Sequence, residues 1–377
     1  MGDLYSSLSN PANYRNRLGA QRHDSLAIPR DFSTSPLEHL DLYWDSYLDC
    51  SPFERAFEFA PNLRILRFNV PHLTRWNFPW SQLTTLCIGE VIDDKNPVPL
   101  DIPWLLVTLS QCLSLEFLAI ASQDISPCMP LPSAEHVVLT RVREAHFDSW
   151  DANVLDILLR VISVPSVQKL SFNESTCGPL PSDGDSFMRF ISNHAATLQE
   201  LLTNQIGISN QTLLRCYGCA TNLSHIHLFC LTVTQNSNEI LRGLVLRFRD
   251  DGTPLEGQNI QLQRLTLHFG VPDDPDDPED PSTRPPMYGI ETRMEDLVEP
   301  FLDIIRSRWN PRTNAVLRSD NATPVAVLNT VCIDDRTLEW MKKRDPGRYG
   351  CLMKAVDEGL TLINEVRGRG VWPDLPQ

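Results

Sequence analysis

Four of the nine histidines, His146, His225, His227 and His268, fall at alternate positions of short apolar segments, and two of them follow a C-x-x-C pair, Cys216-Tyr-Gly-Cys219. Thiols and imidazoles at such spacing can hold zinc or carry redox chemistry. Imidazole also titrates near neutral pH, so a row of histidines on one face would make a pH-sensitive binding strip. The plainer readings weigh against metal and redox chemistry. There is no second C-x-x-C to complete a zinc site, and the passage from helix to strand turns a thiol of the pair toward a core and the histidines outward. The ten cysteines are scattered. Cys87 and Cys332 sit in apparent strands, and Cys112, Cys216 and Cys219 in apparent helices, as small core residues do. Buried thiols, no metal and no cofactor are therefore expected. Catalytic signatures are missing as well: the chain has no Gly-rich phosphate loop, no G-x-S-x-G and no H-E-x-x-H. The acidic pairs Asp93-Asp94 and Asp334-Asp335 read as solvated charge or as complements to a helix N-terminus. The chain is not expected to be an enzyme.

The segments that would position these residues share one six-residue pattern, Leu-x-x-Leu-x-Leu in loose form. Copies begin at Leu37, Leu63, Leu83, Leu115, Val142, Val167, Leu198, Leu223, Leu262 and Leu328, spaced 26, 20, 32, 27, 25, 31, 25, 39 and 66 residues apart. Leucine-rich repeats run about 20–29 residues, so most gaps fit or slightly exceed that range and the last two require insertions. A polar or small residue usually precedes the hexamer, as at Asn62, Ser114, Ser166, Thr197 and Asn222. The copies at Val142 and Leu198 are the weak ones, with Ala145 and Thr203 at apolar positions.

Each hexamer reads as a short strand. Between them lie helical patterns over Ser51–Phe59, Ile102–Gln111, Ala152–Val161, Ser186–Ala195, Asn210–Cys219 and Glu239–Phe248, each with one apolar stripe. Ser51-Pro52 and Asp101-x-Pro103 supply helix starts. A strong helix follows over Met294–Trp309, with Pro300 predicting a kink or break, and further helices are expected over Arg336–Arg344 and Cys351–Val366. A lone strand cannot satisfy its edge groups and a lone helix cannot bury its stripe; stacking solves both. The expected fold class is therefore α/β: an irregular leucine-rich-repeat solenoid, with parallel strands on the concave face, helices on the convex face and a C-terminal helical cap. The expected organisation is a poorly structured N-terminal extension over 1–35 with one short strand near Leu26–Ile28, a solenoid over 36–333, and a helical cap and tail over 334–377. A Pro- and Asp-rich insertion over 270–290 interrupts the solenoid; it includes the run DDPDDPED at Asp273–Asp280.

Bulk properties narrow the partners. The chain has 377 residues, 42% of them hydrophobic, and a formal net charge of -15. That charge argues against a nucleic-acid surface, which needs clustered Lys and Arg. No apolar run reaches the roughly 18–20 residues of a membrane span, and the N-terminus lacks the apolar core of a secretion signal. Gly2 and Ser6 match the loose myristoylation pattern, with a solvated start as the simpler reading. Reduced thiols then point to the cytoplasm or nucleus, which would leave the sequons at Asn173, Asn210, Asn222 and Asn321 unused.

In each hexamer, positions one, four and six should face the core; three, five and the residue after six should face the open side. That rule nominates His39, Asp41, Ile65, Asn69, Thr85, Cys87, Ala119, Glu144, Asp148, Ser171, Asn173, Glu200, Asn204 and Thr266. It also supplies the partner-binding candidates Tyr43, Arg67, Phe117, His146, Lys169, His225, His227, Phe229, Arg264 and His268. The alternative is a solvated sheet face with no dedicated ligand. Interface energy concentrates in aromatic and Arg side chains, which favours Tyr43, Arg67, Phe117, Phe229 and Arg264; Trp76 and Trp80 fit a core or a turn better.

Several segments are more specific than the repeat. Phe57-Glu-Phe-Ala-Pro-Asn-Leu-Arg-Ile-Leu-Arg-Phe68 is followed by Phe78-Pro-Trp-Ser-Gln-Leu-Thr-Thr-Leu86, then by Phe301-Leu-Asp-Ile-Ile-Arg-Ser-Arg-Trp309 and Asp357-Glu-Gly-Leu-Thr-Leu362. In this order, over roughly residues 36 to 365, they resemble the leucine-rich C-terminal part of the expanded F-box protein family of mushroom-forming (Agaricomycete) fungi. The resemblance implies protein–protein recognition: capture of a substrate for a cullin ubiquitin ligase, with the F-box docking on a Skp adaptor. No F-box-like segment precedes Leu37, so the resemblance extends to the recognition half, and the Skp–cullin complex is an expected partner only if an F-box is supplied. A shortened paralogue, an incomplete gene model and an F-box-free relative all fit. The alternative functions are a ubiquitin-independent scaffold, a degenerate paralogue, and an enzyme with an unrecognised site.

Overall fold

A computed structural model describes residues 37–43, 57, 60–69, 77–89, 101–122, 136–149, 151–174, 180, 184–204, 207–232, 235–249, 253–255, 258–270, 294–309 and 325–364. They fall into two compact units, one ending at Thr197 and the other beginning at Leu198. The predicted N-terminal strand, the helix over Ser51–Phe59 (apart from Phe57) and nearly all of the 270–290 insertion lie outside the described residues.

The first unit carries β1 (His39–Tyr43), β2 (Ile65–Asn69), β3 (Thr85–Ile88), β4 (Phe117–Ser122), β5 (Val137–Val138), β6 (Glu144–Ser149), β7 (Ile162–Ser163) and β8 (Lys169–Glu174). Six of them pair side by side, all parallel, in the order β1-β2-β3-β4-β6-β8. β5 and β7 form a separate short parallel pair. The second unit carries β9 (Glu200–Asn204), β10 (His225–Thr232), β11 (Arg264–Gly270), β12 (Thr330–Ile333) and β13 (Thr361–Asn364), paired in chain order and again parallel.

All ten hexamers are strands, and in every one the strand begins at the third residue. The register matches third residue to third residue: His39 to Ile65, Ile65 to Thr85, Thr85 to Phe117, Phe117 to Glu144 and Glu144 to Lys169. The second unit repeats this from Glu200 to His225, Arg264, Thr330 and Thr361. The backbone just before each strand enforces it. One carbonyl accepts the N–H groups of two successive residues in the next segment: Glu38 from Arg64 and Ile65, Arg64 from Thr84 and Thr85, Gln199 from Ser224 and His225, Gln263 from Asn329 and Thr330.

Side-chain alternation then sorts the faces. Positions one, four and six are buried in the nine copies from Leu63 onward, from Leu63, Leu66 and Phe68 to Leu328, Val331 and Ile333. Each such apolar side chain contributes about 1.5–3 kcal/mol by leaving water, so a one-residue slip in any strand would expose a whole row. The two weak copies obey the same geometry. Ala145 is fully buried, and the Thr203 hydroxyl meets the Tyr217 hydroxyl at 3.1 Å inside the core.

Helices cover the core side. Four are α1 (Ile102–Gln111), α2 (Ala152–Val161), α3 (Asp185–His194) and α4 (Asn210–Cys219), matching the predicted spans to within a residue. Asp101, Asp151 and Ser209 cap α1, α2 and α4 by accepting backbone N–H groups of their first turns. Three predicted spans need correction. α5 runs Gln235–Leu244, four residues earlier than expected. α6 (Met294–Arg308) continues through Pro300 without a break. Pro in a helix interior costs about 3 kcal/mol; buried Leu297, Val298, Phe301, Leu302, Ile304 and Ile305 outweigh it. After α7 (Asp335–Arg344) and α8 (Pro346–Asp357), the expected helix to Val366 is replaced by β13. Gly359, at a φ of 111° that L side chains rarely adopt, turns the chain out of α8. The C-terminal segment is therefore helical only as far as Asp357, and its described part ends in a strand.

Two buried polar side chains brace the core side. In the first unit, His194 donates from Nδ1 to the Phe190 carbonyl (2.6 Å) and accepts the Val164 N–H at Nε2 (3.0 Å). In the second, Arg308 donates to the carbonyls of Leu244 (3.0 Å) and Asn259 (2.8 Å). Burial depresses both groups, the guanidinium to about 10.

Candidate functional site

Positions three and five of the hexamers stand on the sheet faces opposite the leucine rows, and there the strands bring polar residues together. In the first unit the Glu144 carboxylate receives the Lys169 ammonium (3.0 Å) and His146 Nε2 (2.7 Å), and the Phe117 ring lies on the His146 imidazole with centroids 5.1 Å apart. Lys169 and His146 together hold the Glu144 carboxyl below its usual range, against the opposing effect of burial. Beside them Asp148 accepts from Asn173 (3.2 Å), and burial pushes its carboxyl up to about 6. At β1 and β2, Asp41 accepts from His39 (2.8 Å) with Arg67 Nε at 4.0 Å.

The second unit gathers two imidazoles. Glu200 on β9 meets His227 on β10, Oε1 to Nε2, at 2.8 Å. His227 Nε2 also lies 3.2 Å from His225 Nδ1, and the two rings are 3.7 Å apart. The other Glu200 oxygen is 3.6 Å from His225 Nδ1. His225 Nε2 contacts the Thr266 hydroxyl on β11 at 3.1 Å. Arg264 reaches along the same face to the Cys332 sulfur on β12 (3.4 Å).

Of the predicted site residues, Phe117, His146 and Lys169 therefore converge in one unit, and His225 and His227 in the other. Arg67 stands beside Asp41, Arg264 beside Cys332. His268 is half-buried on β11; Tyr43 and Phe229 lie in β1 and β10, and their side chains are outside the described set. The open face expected from the hexamer rule is more closed than that rule implied. Position five is buried at Cys87, Ala119, His146, Ser171, His227, Thr266 and Cys332. Parallel strands lie about 4.8 Å apart, so residues of matched register close over one another. The accessible polar groups are mainly at position three: Glu144, Lys169, Glu200 and Arg264 are half-buried.

The C-x-x-C pair does not join the histidines. Cys216 is fully buried in α4, and burial pushes its thiol up to about 12, which makes it a poor nucleophile. Cys219 points its sulfur back at the Cys216 carbonyl (3.2 Å). Glu200 and Thr266 were nominated by their hexamer positions as face residues without a role. Their part in tying the histidines together depends on contacts between residues 25 and 41 positions apart on neighbouring strands (200 to 225, 225 to 266), which spacing within a hexamer does not express. His194 carries no sequence signal, and Arg308 stands in the sequence only as part of the Phe301–Trp309 segment, with nothing that marks it as a buried brace.

No family model matches the chain, and no curated protein matches it. Function must be read from the site. Among the described residues no helix is long and apolar enough to cross a membrane.

Proposed function

We propose that the chain is a protein-recognition module of leucine-rich-repeat type that serves as the substrate-binding part of an F-box-type ubiquitin ligase receptor. The observation that supports the reading is the register. Ten hexamers set their third residues side by side within each unit, with the leucine rows buried behind them. Repetition of that kind builds an extended row of side chains suited to a protein surface. The row is chemically varied, with Glu144, Lys169, Glu200 and Arg264 at accessible third positions, and so can discriminate among partners by charge. In this reading the chain supplies no catalytic residue; it holds a protein substrate while a Skp–cullin assembly, joined through an F-box, performs the transfer. The fragments Ala60-Pro-Asn-Leu and Ser307-Arg308-Trp309 that carry the family resemblance act in the scaffold: Arg308 ties α5 and the loop before β11, and Ser307 Oγ accepts the Leu246 N–H (3.1 Å).

The test is affinity capture with the natively expressed chain, followed by the same capture with Lys169→Glu and Arg264→Glu together. Recovery of Skp and cullin with a substrate that the double variant loses is the expected result. A control at Val107, exposed on α1, should lose nothing. Capture of a face-dependent partner without Skp or cullin would replace the ligase role with that of a ubiquitin-independent scaffold. Partners insensitive to the double variant would remove the recognition reading.

A further inference from the structure

We propose that Glu200, His225 and His227 form a binding site for a divalent transition metal of the zinc type. The three side chains offer one ligand atom each within a space of 4.8 Å. Their separations are 2.8 Å (Glu200 Oε1 to His227 Nε2), 3.2 Å (His227 Nε2 to His225 Nδ1) and 3.6 Å (His225 Nδ1 to Glu200 Oε2). Tetrahedral zinc with bonds of about 2.0–2.1 Å sets its ligand atoms roughly 3.3 Å apart. The observed triangle brackets that value, so shifts of a few tenths of an ångström would complete it.

The protonation pattern points the same way. With Glu200 as a carboxylate, the 2.8 Å contact requires a hydrogen on His227 Nε2. His225 Nδ1, at 3.2 Å from that nitrogen, must then present its lone pair. A neutral His225 therefore carries its hydrogen on Nε2, where the Thr266 hydroxyl oxygen accepts it at 3.1 Å. One proton thus sits among three lone-pair donors, the place a cation would take when the His227 hydrogen moves to Nδ1. Thr266 fixes the His225 tautomer in the ligating state, the arrangement that supports metal-bound imidazoles generally. Thr266 is fully buried, His227 is buried and Glu200 is half-buried, so the carboxylate is the most accessible of these side chains. Two imidazoles and a carboxylate suit zinc, cobalt and nickel over magnesium or calcium, and leave a fourth position for water or a partner's side chain. The proposal is independent of the recognition reading.

The experiment uses the whole chain, reduced, with Zn2+ binding measured by calorimetry and Co2+ binding by visible absorption. Expected are one equivalent bound, tetrahedral cobalt bands without the near-ultraviolet thiolate-to-cobalt band, and no competition from Mg2+. His227→Gln should weaken binding at least a hundredfold, Glu200→Gln markedly, and the isosteric Thr266→Val about tenfold. Folding of each variant is checked by circular dichroism without metal; should His227→Gln fail to fold, Thr266→Val and the wild-type cobalt spectrum decide. Overturning results are a thiolate band, an octahedral spectrum, or affinity unchanged in folded His227→Gln or Thr266→Val.

Discussion

The polar clusters of the two units both join a glutamate to a position-five histidine, but that histidine lies on the glutamate's own strand in the first unit and on the neighbouring strand in the second. In the first, Glu144 at position three faces Lys169 at position three of the next strand; in the second, Glu200 faces His225. His146 and His227 both occupy position five of their hexamers and both contact the glutamate, at 2.7 and 2.8 Å. A lysine ammonium is a resident cation: it sits 3.0 Å from the Glu144 carboxylate and has no lone pair to give. An imidazole in the corresponding place is a ligand. The same pairing of third positions therefore makes a closed ion pair in one unit and, with His227 two residues along from His225, a candidate metal site in the other. A parallel sheet lends itself to this, because register is fixed by the buried apolar rows and the face residues vary without disturbing it.

The braces behind the sheets differ in the same spirit, and the difference there should have the largest consequence. His194 is an uncharged brace. Arg308 is a buried cation held by the carbonyls of Leu244 and Asn259. Removing it with Arg308→Ala strands both carbonyls and opens a cavity, at a cost of about 3–5 kcal/mol. Urea denaturation should show the loss, and amide exchange should show it concentrated in α5, α6 and β11. A loss under 1 kcal/mol would mean that water reaches these carbonyls and that Arg308 braces nothing.

Next in size is the exchange of imidazole for lysine. A ligand at a hundredfold excess over its dissociation constant stabilises a fold by about 2.7 kcal/mol, so zinc at that level should raise the melting temperature of the wild-type chain. His225→Lys sets a lysine opposite Glu200 as Lys169 stands opposite Glu144, and removes one of the two imidazoles. The variant should fold, since the Glu200 carboxylate is in place to pair with the new ammonium, and zinc should no longer shift its melting temperature. A zinc response equal to wild type would show that His225 is not a ligand.

Asp148 offers a smaller effect with a definite sign. Its folded carboxyl is raised to about 6 by burial, above the roughly 3.9 of an unfolded Asp. The protonated form is thus favoured by folding. Its contribution is fully present below the unfolded value and is lost as pH rises through about 6, leaving a buried charge at pH 7.5. Asp148→Asn, which keeps a partner for Asn173, should stabilise the chain by about 1 kcal/mol at pH 7.5. The gain should vanish by pH 4. Equal stability of variant and wild type at both pH values would show that Asp148 is solvated.

The strands were legible because their signal is local. Three apolar positions in six residues state both the conformation and the buried face, and even Ala145 and Thr203 did not spoil it. β13 escaped for the same reason in reverse. Its register aligns Thr361 with Thr330, which puts Gly359 at position one and Asn364 at position six, so two of the three apolar marks are missing. Leu360 and Leu362 then mimic the end of a helix. The early stop of α5 was also invisible, because its cause is remote: Arg308 takes the Leu244 carbonyl, and Gln258 takes the Val245 carbonyl (3.0 Å) and the Arg247 N–H (2.9 Å). The candidate site was half legible. Alternation nominated the histidines and glutamates one strand at a time. Which of them meet depends on cross-strand register, and how deeply they are buried depends on neighbours two strands away.

The smallest expected effect tests whether the closed ion pair of the first unit matters to folding at all. Lys169 and Glu144 are each about 28–29% exposed at the side chain, where water screens most of their attraction. His146 remains beside Glu144 when the lysine is removed, so the carboxylate is not left without a donor. Lys169→Met keeps the aliphatic stem against the sheet and should cost under about 1 kcal/mol, less still in high salt. A loss of several kcal/mol would make the pair a structural keystone, with Lys169 then unfree to vary for a partner's sake. A loss near zero leaves the position open to be chosen for binding alone, which is what a recognition row built on register positions requires.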